Sequence, residues 1–159
     1  LPAEERTAHW PSGSEKVGRR HCLGGRLRYG LALEQLEAMW DAYPDVPKFA
    51  FFNGGTAHNF DTRWETIGLA SEALDVELER WLLRMLARAD ANRTVILLRS
   101  DHGLQGGPTT MEFATQMEQR RPWTTLLLPE ALLDADGAST LRRNQQRLVT
   151  GFDLYHTPL

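Results

Sequence analysis

The chain has 159 residues, a length that suits one ordinary domain and leaves little room for two. Apolar residues make up 42% of the sequence and charged residues 25%, which is the composition of a globular protein and excludes a disordered or fibrous one. The formal net charge of −3 argues against non-specific nucleic-acid binding, which needs a basic surface. No apolar stretch reaches the roughly 18–20 residues that a membrane span requires, so we expect no membrane span in this segment.

The first part of the chain, residues 1–28, is rich in proline, glycine, serine and charge, and we predict an irregular lead-in there. It has neither an initiator methionine nor the apolar core of a signal peptide, so we expect the sequence to be a fragment of a longer polypeptide. Cys22 is the sole cysteine and cannot form an internal disulfide. It is either a free buried thiol or the partner of a cysteine outside this segment.

Helical and strand patterns alternate from residue 29 to residue 159. A short amphipathic helix is predicted at 31–43, and an apolar strand, KFAFFN, at 48–53. A long helix is predicted from about Trp64 to Ala89. Its apolar stripe consists of Ile67, Ala70, Leu74, Leu78, Trp81 and Met85. The pattern predicts that this stripe packs against the core.

The second half of the pattern begins with TVILLRS at 94–100, whose continuous apolar run predicts a strand covered on both faces. A short helix at 111–121, a strand at 122–129 opened by a proline, and helical segments near the end follow. This order predicts an α/β fold with a mostly parallel sheet flanked by helices. In such sheets ligands bind at the carboxyl ends of strands, where His58 and His102 fall.

Asp101 and His102 stand directly after the predicted strand at 94–100. A carboxylate oxygen beside an imidazole nitrogen suits Zn²⁺ or Mn²⁺ better than the all-oxygen sites of Ca²⁺. Gly103 would let the backbone pass close to the metal or its ligand. The alternative is an aspartate that caps the next turn and a histidine that hydrogen-bonds to it, since two ligands alone do not define a metal site.

Other polar residues have simpler explanations when spacing alone is considered. His58 fits an ordinary loop histidine, and His156 lies on an amphipathic segment that favours a structural role. Glu118 is either a surface charge or a partner for Arg120 or Arg121. Asn92-Arg93-Thr94 is an N-glycosylation sequon, a tripeptide that also arises by chance.

The strand that ends in Ser-Asp-His-Gly, VILLRSDHG, resembles the metal-binding signature of the alkaline phosphatase/sulfatase superfamily. The resemblance extends over residues 22–159. The segments that carry it are CLGGR, YPDVPKFAFFNGGTAH, NRTVILLRSDHG, MEQRRPWTTLLLP and RLVTGFDLYHTPL. Their order is similar to that of a eukaryotic sulfatase-like family of unknown function. Residues 29–159 would then be the C-terminal half of its catalytic domain, part of an alkaline-phosphatase-like fold.

The resemblance implies a role for several residues of this chain. Asp101 and His102 match the paired metal ligands, and His58 matches a strand-end histidine that contacts the substrate or assists the leaving group. The nucleophile and at least one further acidic ligand would lie outside this chain, in the remainder of the same polypeptide. Only His156 is available as a further downstream histidine, which favours a single divalent ion.

The resemblance implies a metal-dependent hydrolase or transferase of phosphoric or sulfuric esters, possible substrates being glycans or lipid head groups. Residues 101–122 lack the lysine with which many sulfatases hold sulfate, and His102 stands where many have asparagine, so phosphoric esters are favoured. Such a protein would be glycosylated at Asn92 and would lie in the secretory lumen or outside the cell. The alternative is a catalytically inactive extracellular structural or glycan-binding protein that kept the fold.

Overall fold

The computed structural model describes residues 22–55, 64–103 and 111–156, with the side chains of 64–70 left aside. Helices and short strands are mixed, as the α/β prediction requires. The chain divides into two units, Leu1–Arg88 with Asp101–Pro122, and Ala89–Ser100 with Trp123–Leu159. In the described part of the chain, no helix is both long enough and apolar enough to cross a membrane.

The first unit opens with a hairpin of strands β1 (Cys22–Leu23) and β2 (Arg26–Leu27). Gly24 and Gly25 form its turn with φ of 56° and 75°, a left-handed backbone that glycine adopts without steric cost. The lead-in predicted for 1–28 therefore includes an ordered hairpin at its end. Its first 21 residues lie outside the described part of the chain.

Two helices form the main body of the first unit. Helix α1 spans Arg28–Ala42 and helix α2 spans Trp64–Leu86, close to the two helices predicted from periodicity. Among the described apolar residues, Leu33 of α1 and Trp81 and Met85 of α2 are buried, with exposures of 2%, 6% and 3%. The stripe prediction is confirmed for Trp81 and Met85.

Ion pairs join the two helices beside this core. Arg84 Nε lies 2.9 Å from a Glu37 carboxylate oxygen, and Arg88 Nη1 lies 2.6 Å from Asp41 Oδ1. The two arginines lie four residues apart, as do the two carboxylates, so the last turn of α2 and the residue that follows it shortly afterwards both meet acidic side chains of α1. The ion pairs therefore fit the same alignment of α1 along α2 as the buried apolar residues.

The segment KFAFFN is not a strand. Residues 47–54 are irregular, and Phe49 and Phe51 are 85% and 81% exposed. The strand prediction was wrong for the described structure, because an extended segment becomes a strand only when a neighbouring strand accepts its hydrogen bonds. No strand pairs with it among the described residues. Phe52 contacts Tyr29 edge to face, with 5.4 Å between ring centroids.

The first unit also contains the short helix α3, Phe113–Gln119. The second unit contains strands β3 (Ile96–Arg99) and β4 (Thr124–Leu127), helices α4 (Ala135–Asn144) and α5 (Gly151–His156), and two 3₁₀ helices, Ala91–Arg93 and Glu130–Leu132. Strands β3 and β4 pair antiparallel, from Ile96 opposite Leu127 to Arg99 opposite Thr124. Both strand pairs in the described residues are antiparallel, so the mostly parallel sheet stays a prediction.

One face of the β3–β4 pair is open among the described residues. Val95 is 48% exposed and Leu97 36%. Exposed and half-buried residues alternate along β3, the pattern of an antiparallel pair with one covered face. The apolar run at 94–100 had predicted a strand covered on both faces, and this is not the arrangement of the described residues.

Candidate metal site

Strand β3 ends at Arg99, and Ser100 links it to Asp101. The Ser100 amide donates to the Trp123 carbonyl at 2.9 Å, and the Trp123 amide donates to Ser100 Oγ at 2.8 Å. The Ser100 hydroxyl thus closes the ladder by taking an amide that would otherwise lack a partner. The sequence prediction that Asp101 follows a strand end is confirmed.

Asp101, His102 and Gly103 form a tight corner whose polar atoms are ordered by local hydrogen bonds. The His102 amide donates to Asp101 Oδ1 at 2.9 Å, and His102 Nδ1 lies 2.7 Å from the Gly103 carbonyl oxygen. A carbonyl only accepts, so Nδ1 is the donor of this hydrogen bond, and in the neutral tautomer with a proton on Nδ1 the lone pair lies on Nε2. Metal-binding histidines use this arrangement to fix the ring and its tautomer.

Two further side-chain atoms of this pair, His102 Nε2 and Asp101 Oδ2, lie close together. His102 Nε2 is 3.5 Å from Asp101 Oδ2. Two donors about 2.1 Å from a tetrahedral Zn²⁺ are about 3.4 Å apart, so the observed separation fits a shared ion. The same separation is long for a direct hydrogen bond. The donor set, one imidazole nitrogen and one carboxylate oxygen, also suits such an ion.

Both side chains are open to solvent, with exposures of 80% for Asp101 and 37% for His102. An ion and its ligands could therefore reach them. Within 22–55, 64–103 and 111–156, however, no group of three histidine, cysteine, aspartate or glutamate side chains converges on one point. Asp101 and His102 can supply half of a four-coordinate site. His58, the predicted substrate contact, lies outside the described residues.

Gly103 has a role that the sequence did not reveal. A Cβ at this position would lie 2.5 Å from the Glu118 carbonyl oxygen and 3.0 Å from the Gln119 Cα, too close for any larger residue. The Gly103 amide donates to the Gln119 carbonyl at 3.2 Å. Glycine is needed here because the corner packs on the backbone at the end of α3. We had expected the close approach to be to the metal or its ligand.

The remaining predicted residues lie apart from this corner along the chain. Burial raises the pKa of the half-buried Cys22 thiol, an effect that the positive charge of Arg28 offsets only in part, so the thiol stays protonated near neutral pH. Asn92 is exposed on the first 3₁₀ helix. His156 is exposed on α5 and meets the Tyr155 ring edge to face, 5.3 Å between centroids. The structural role of His156 stays a prediction.

The chain was compared with families and with known proteins. The model of the family described as Protein of unknown function (DUF229) matches residues 4–158. No curated protein and no solved structure gives a significant match. The family match extends over nearly the whole chain and includes Asp101 and His102. The chain therefore belongs to the DUF229 family.

Proposed function

We propose that the chain is part of a metal-dependent hydrolase or transferase that acts on phosphoric or sulfuric esters. The observation that carries this proposal is the 3.5 Å approach of His102 Nε2 to Asp101 Oδ2. Membership of DUF229, a sulfatase-like family, supports it, since the superfamily signature ends in the same Asp-His pair. The superfamily and the alkaline-phosphatase-like fold are parts of the same proposal.

Each residue of the corner has a distinct task in this proposal. Asp101 Oδ2 and His102 Nε2 would hold one divalent ion, Zn²⁺ or Mn²⁺, with the other ligands supplied from outside this chain. The Gly103 carbonyl keeps the proton on Nδ1, so that the Nε2 lone pair stays directed outward. Such an ion neutralises charge on phosphoryl or sulfuryl oxygens. His58 would contact the transferred group, and the nucleophile would come from the remainder of the polypeptide.

Phosphoric esters are the favoured substrates. The chain has two lysines, Lys16 and Lys48, and neither lies in 101–122. A sulfate site built on a lysine after Ser-Asp-His-Gly therefore has no candidate residue in this stretch.

A secretory or extracellular location belongs to the same proposal. The exposed side chain of Asn92 on its 3₁₀ turn supports an N-linked glycan, because the acceptor amide must be reachable. Treatment of the protein from a eukaryotic secretory host with a peptide-N-glycosidase should lower its mass, and the Asn92→Gln variant should not respond. An unchanged mass in the parent would remove the glycan from the proposal.

Elemental analysis tests the metal site directly. The full-length protein should retain Zn or Mn after dialysis, and the Asp101→Ala/His102→Ala variant should lose it. The matched control is Asp136→Ala/His156→Ala, which removes an exposed aspartate and an exposed histidine from α4 and α5. Equal metal content in the parent and the Asp101/His102 variant would refute the site and favour a non-catalytic structural or glycan-binding protein.

A further inference from the structure

The Asp101–Gly103 corner contacts the backbone at the end of helix α3, where a turn begins. Gln119, the last residue of α3, accepts the Gly103 amide at 3.2 Å. Arg120 and Arg121 follow it directly. Their own amides donate to the Met117 and Glu118 carbonyls, both at 3.2 Å, which fixes the turn. Two arginines thus follow, in a hydrogen-bonded turn, the backbone that contacts Gly103 next to Asp101 and His102.

These two arginines differ from most arginines of the same unit. Arg80, Arg84 and Arg88 each pair with a carboxylate, and so does Arg26 with Glu34. Arg120 and Arg121 are exposed and have no ion pair among the residues that the structure describes. Glu118, which the sequence had suggested as their partner, contacts Arg121 only through its backbone carbonyl. Within the described part of the chain, neither positive charge is therefore neutralised by a carboxylate.

Guanidinium groups suit one class of anion particularly well. Arginine presents a planar fork of donors that matches the oxygens of phosphate and sulfate, and charge-assisted bonds of this kind are stronger than neutral ones. Basic residues at the end of a helix also complement its dipole. The dipole effect contributes to stability alone, however, whereas an anion site changes the affinity for an oxyanion. The two roles can be separated by experiment.

We propose that Arg120 and Arg121 form the subsite that binds the tetrahedral oxyanion of the substrate, next to Asp101 and His102. The assignment of this oxyanion to an ester substrate rests on the proposed function. The subsite would contribute to ground-state binding of either a phosphoryl or a sulfuryl group.

Calorimetric titration of the full-length protein with inorganic phosphate, and in parallel with sulfate, tests this subsite. The titrations are made with Zn²⁺ present and after chelation. Arg120→Gln/Arg121→Gln should weaken binding of at least one anion by about tenfold or more, the loss expected for charged hydrogen bonds. The anion that responds more strongly identifies the ester class. Arg142→Gln/Arg143→Gln, another adjacent exposed pair, should leave both affinities unchanged.

The outcomes distinguish this subsite from the proposed function. If the protein retains metal but its anion affinity is unchanged by the Arg120 and Arg121 substitutions, the subsite alone is overturned. Arginine-dependent anion binding in a protein that holds no metal overturns the proposed function and leaves the subsite standing. A lower thermal midpoint with unchanged anion affinity shows that the arginines act only on the helix end, and it too overturns the subsite. So does a parent protein that binds neither anion.

Discussion

The α1–α2 pair and the β3–β4 pair are both rich in apolar residues, but they bury them to different extents. In the helix pair, Leu33, Trp81 and Met85 are at most 6% exposed, and ion pairs continue the register on the surface. In the strand pair, Val95, Leu97 and Trp123 stay between 36% and 52% exposed. A helix closes its own hydrogen bonds and needs one partner to cover its stripe. A strand with two apolar faces needs other elements packed on both faces as well as a neighbouring strand. A single strand pair supplies only the neighbouring strand.

The largest expected effect comes from the helix core. Trp81→Ala should lower the free energy of unfolding by about 3–5 kcal/mol, because a large buried side chain leaves a cavity. Leu97→Ala on the open face should cost about 1 kcal/mol or less, since its side chain is already 36% exposed. Urea unfolding of the full-length protein measures both. Equal losses would break the comparison and show that Leu97 is covered by a part of the protein outside the described residues.

The next effect concerns the Asp101–Gly103 corner, which lies between β3 and β4 in sequence. Gly103→Ala places a Cβ 2.5 Å from the Glu118 carbonyl oxygen, so the backbone of the corner or of the α3 end must move. We expect a loss of about 1–3 kcal/mol of stability, as for other overpacked positions. Metal affinity should also fall, by about 10–100-fold, as when an orienting partner of a ligand is lost.

Gly55→Ala is the matched control for Gly103→Ala, because a Cβ at Gly55 has no heavy atom within 4 Å. Chemical unfolding and metal titration of both variants give the answer. If Gly103→Ala keeps full metal affinity, the corner does not need the α3 turn to orient His102.

Ion pairing across the helices has a smaller expected effect. A double-mutant cycle of Arg84→Ala and Glu37→Ala should give a coupling free energy of about 0.2–1 kcal/mol, because the Arg84 side chain is 47% exposed and solvent screens the pair. The coupling should shrink as salt is added. A coupling that is zero at low salt would show that the apolar residues alone set the register of α1 and α2.

The helical unit was the part of the fold most accessible to sequence reasoning. Residues three and four apart share a face of a helix wherever the rest of the chain lies, so the stripe at Leu74, Leu78, Trp81 and Met85 predicts its own burial. The pairing partner of a strand is determined by distant residues. The local sequences KFAFFN and VILLR therefore do not specify which strand pairs with them. This explains why β3 and β4 were placed correctly while their antiparallel direction and the irregular course of 48–53 were not.

The candidate site shows the same division between local and distant information. The pairing of Asp101 with His102 could be proposed from the sequence because the two residues are adjacent and follow a strand end. The need for glycine at position 103 could not be predicted, since it depends on the backbone of Glu118 and Gln119, which lie more than a dozen residues away in the chain. Any further ligand of the proposed ion would also be a distant residue, for which adjacency in sequence gives no information.

The smallest effect tests whether local rules also hold in the second unit. The Thr150 hydroxyl and amide both donate to the Asp153 carboxylate, at 2.6 Å and 2.7 Å, and these bonds lower the pKa of Asp153. A lowered folded-state pKa means that the contribution to α5 stability is complete above the unfolded pKa and is lost as pH falls through the folded one. Thr150→Val should raise the Asp153 pKa toward its ordinary value, in part, since the amide donor remains. Carbon-detected NMR titration of the carboxyl group measures the shift. An unchanged pKa would mean that the hydroxyl bond does not persist in solution, and that α5 depends on its surroundings as β3 does.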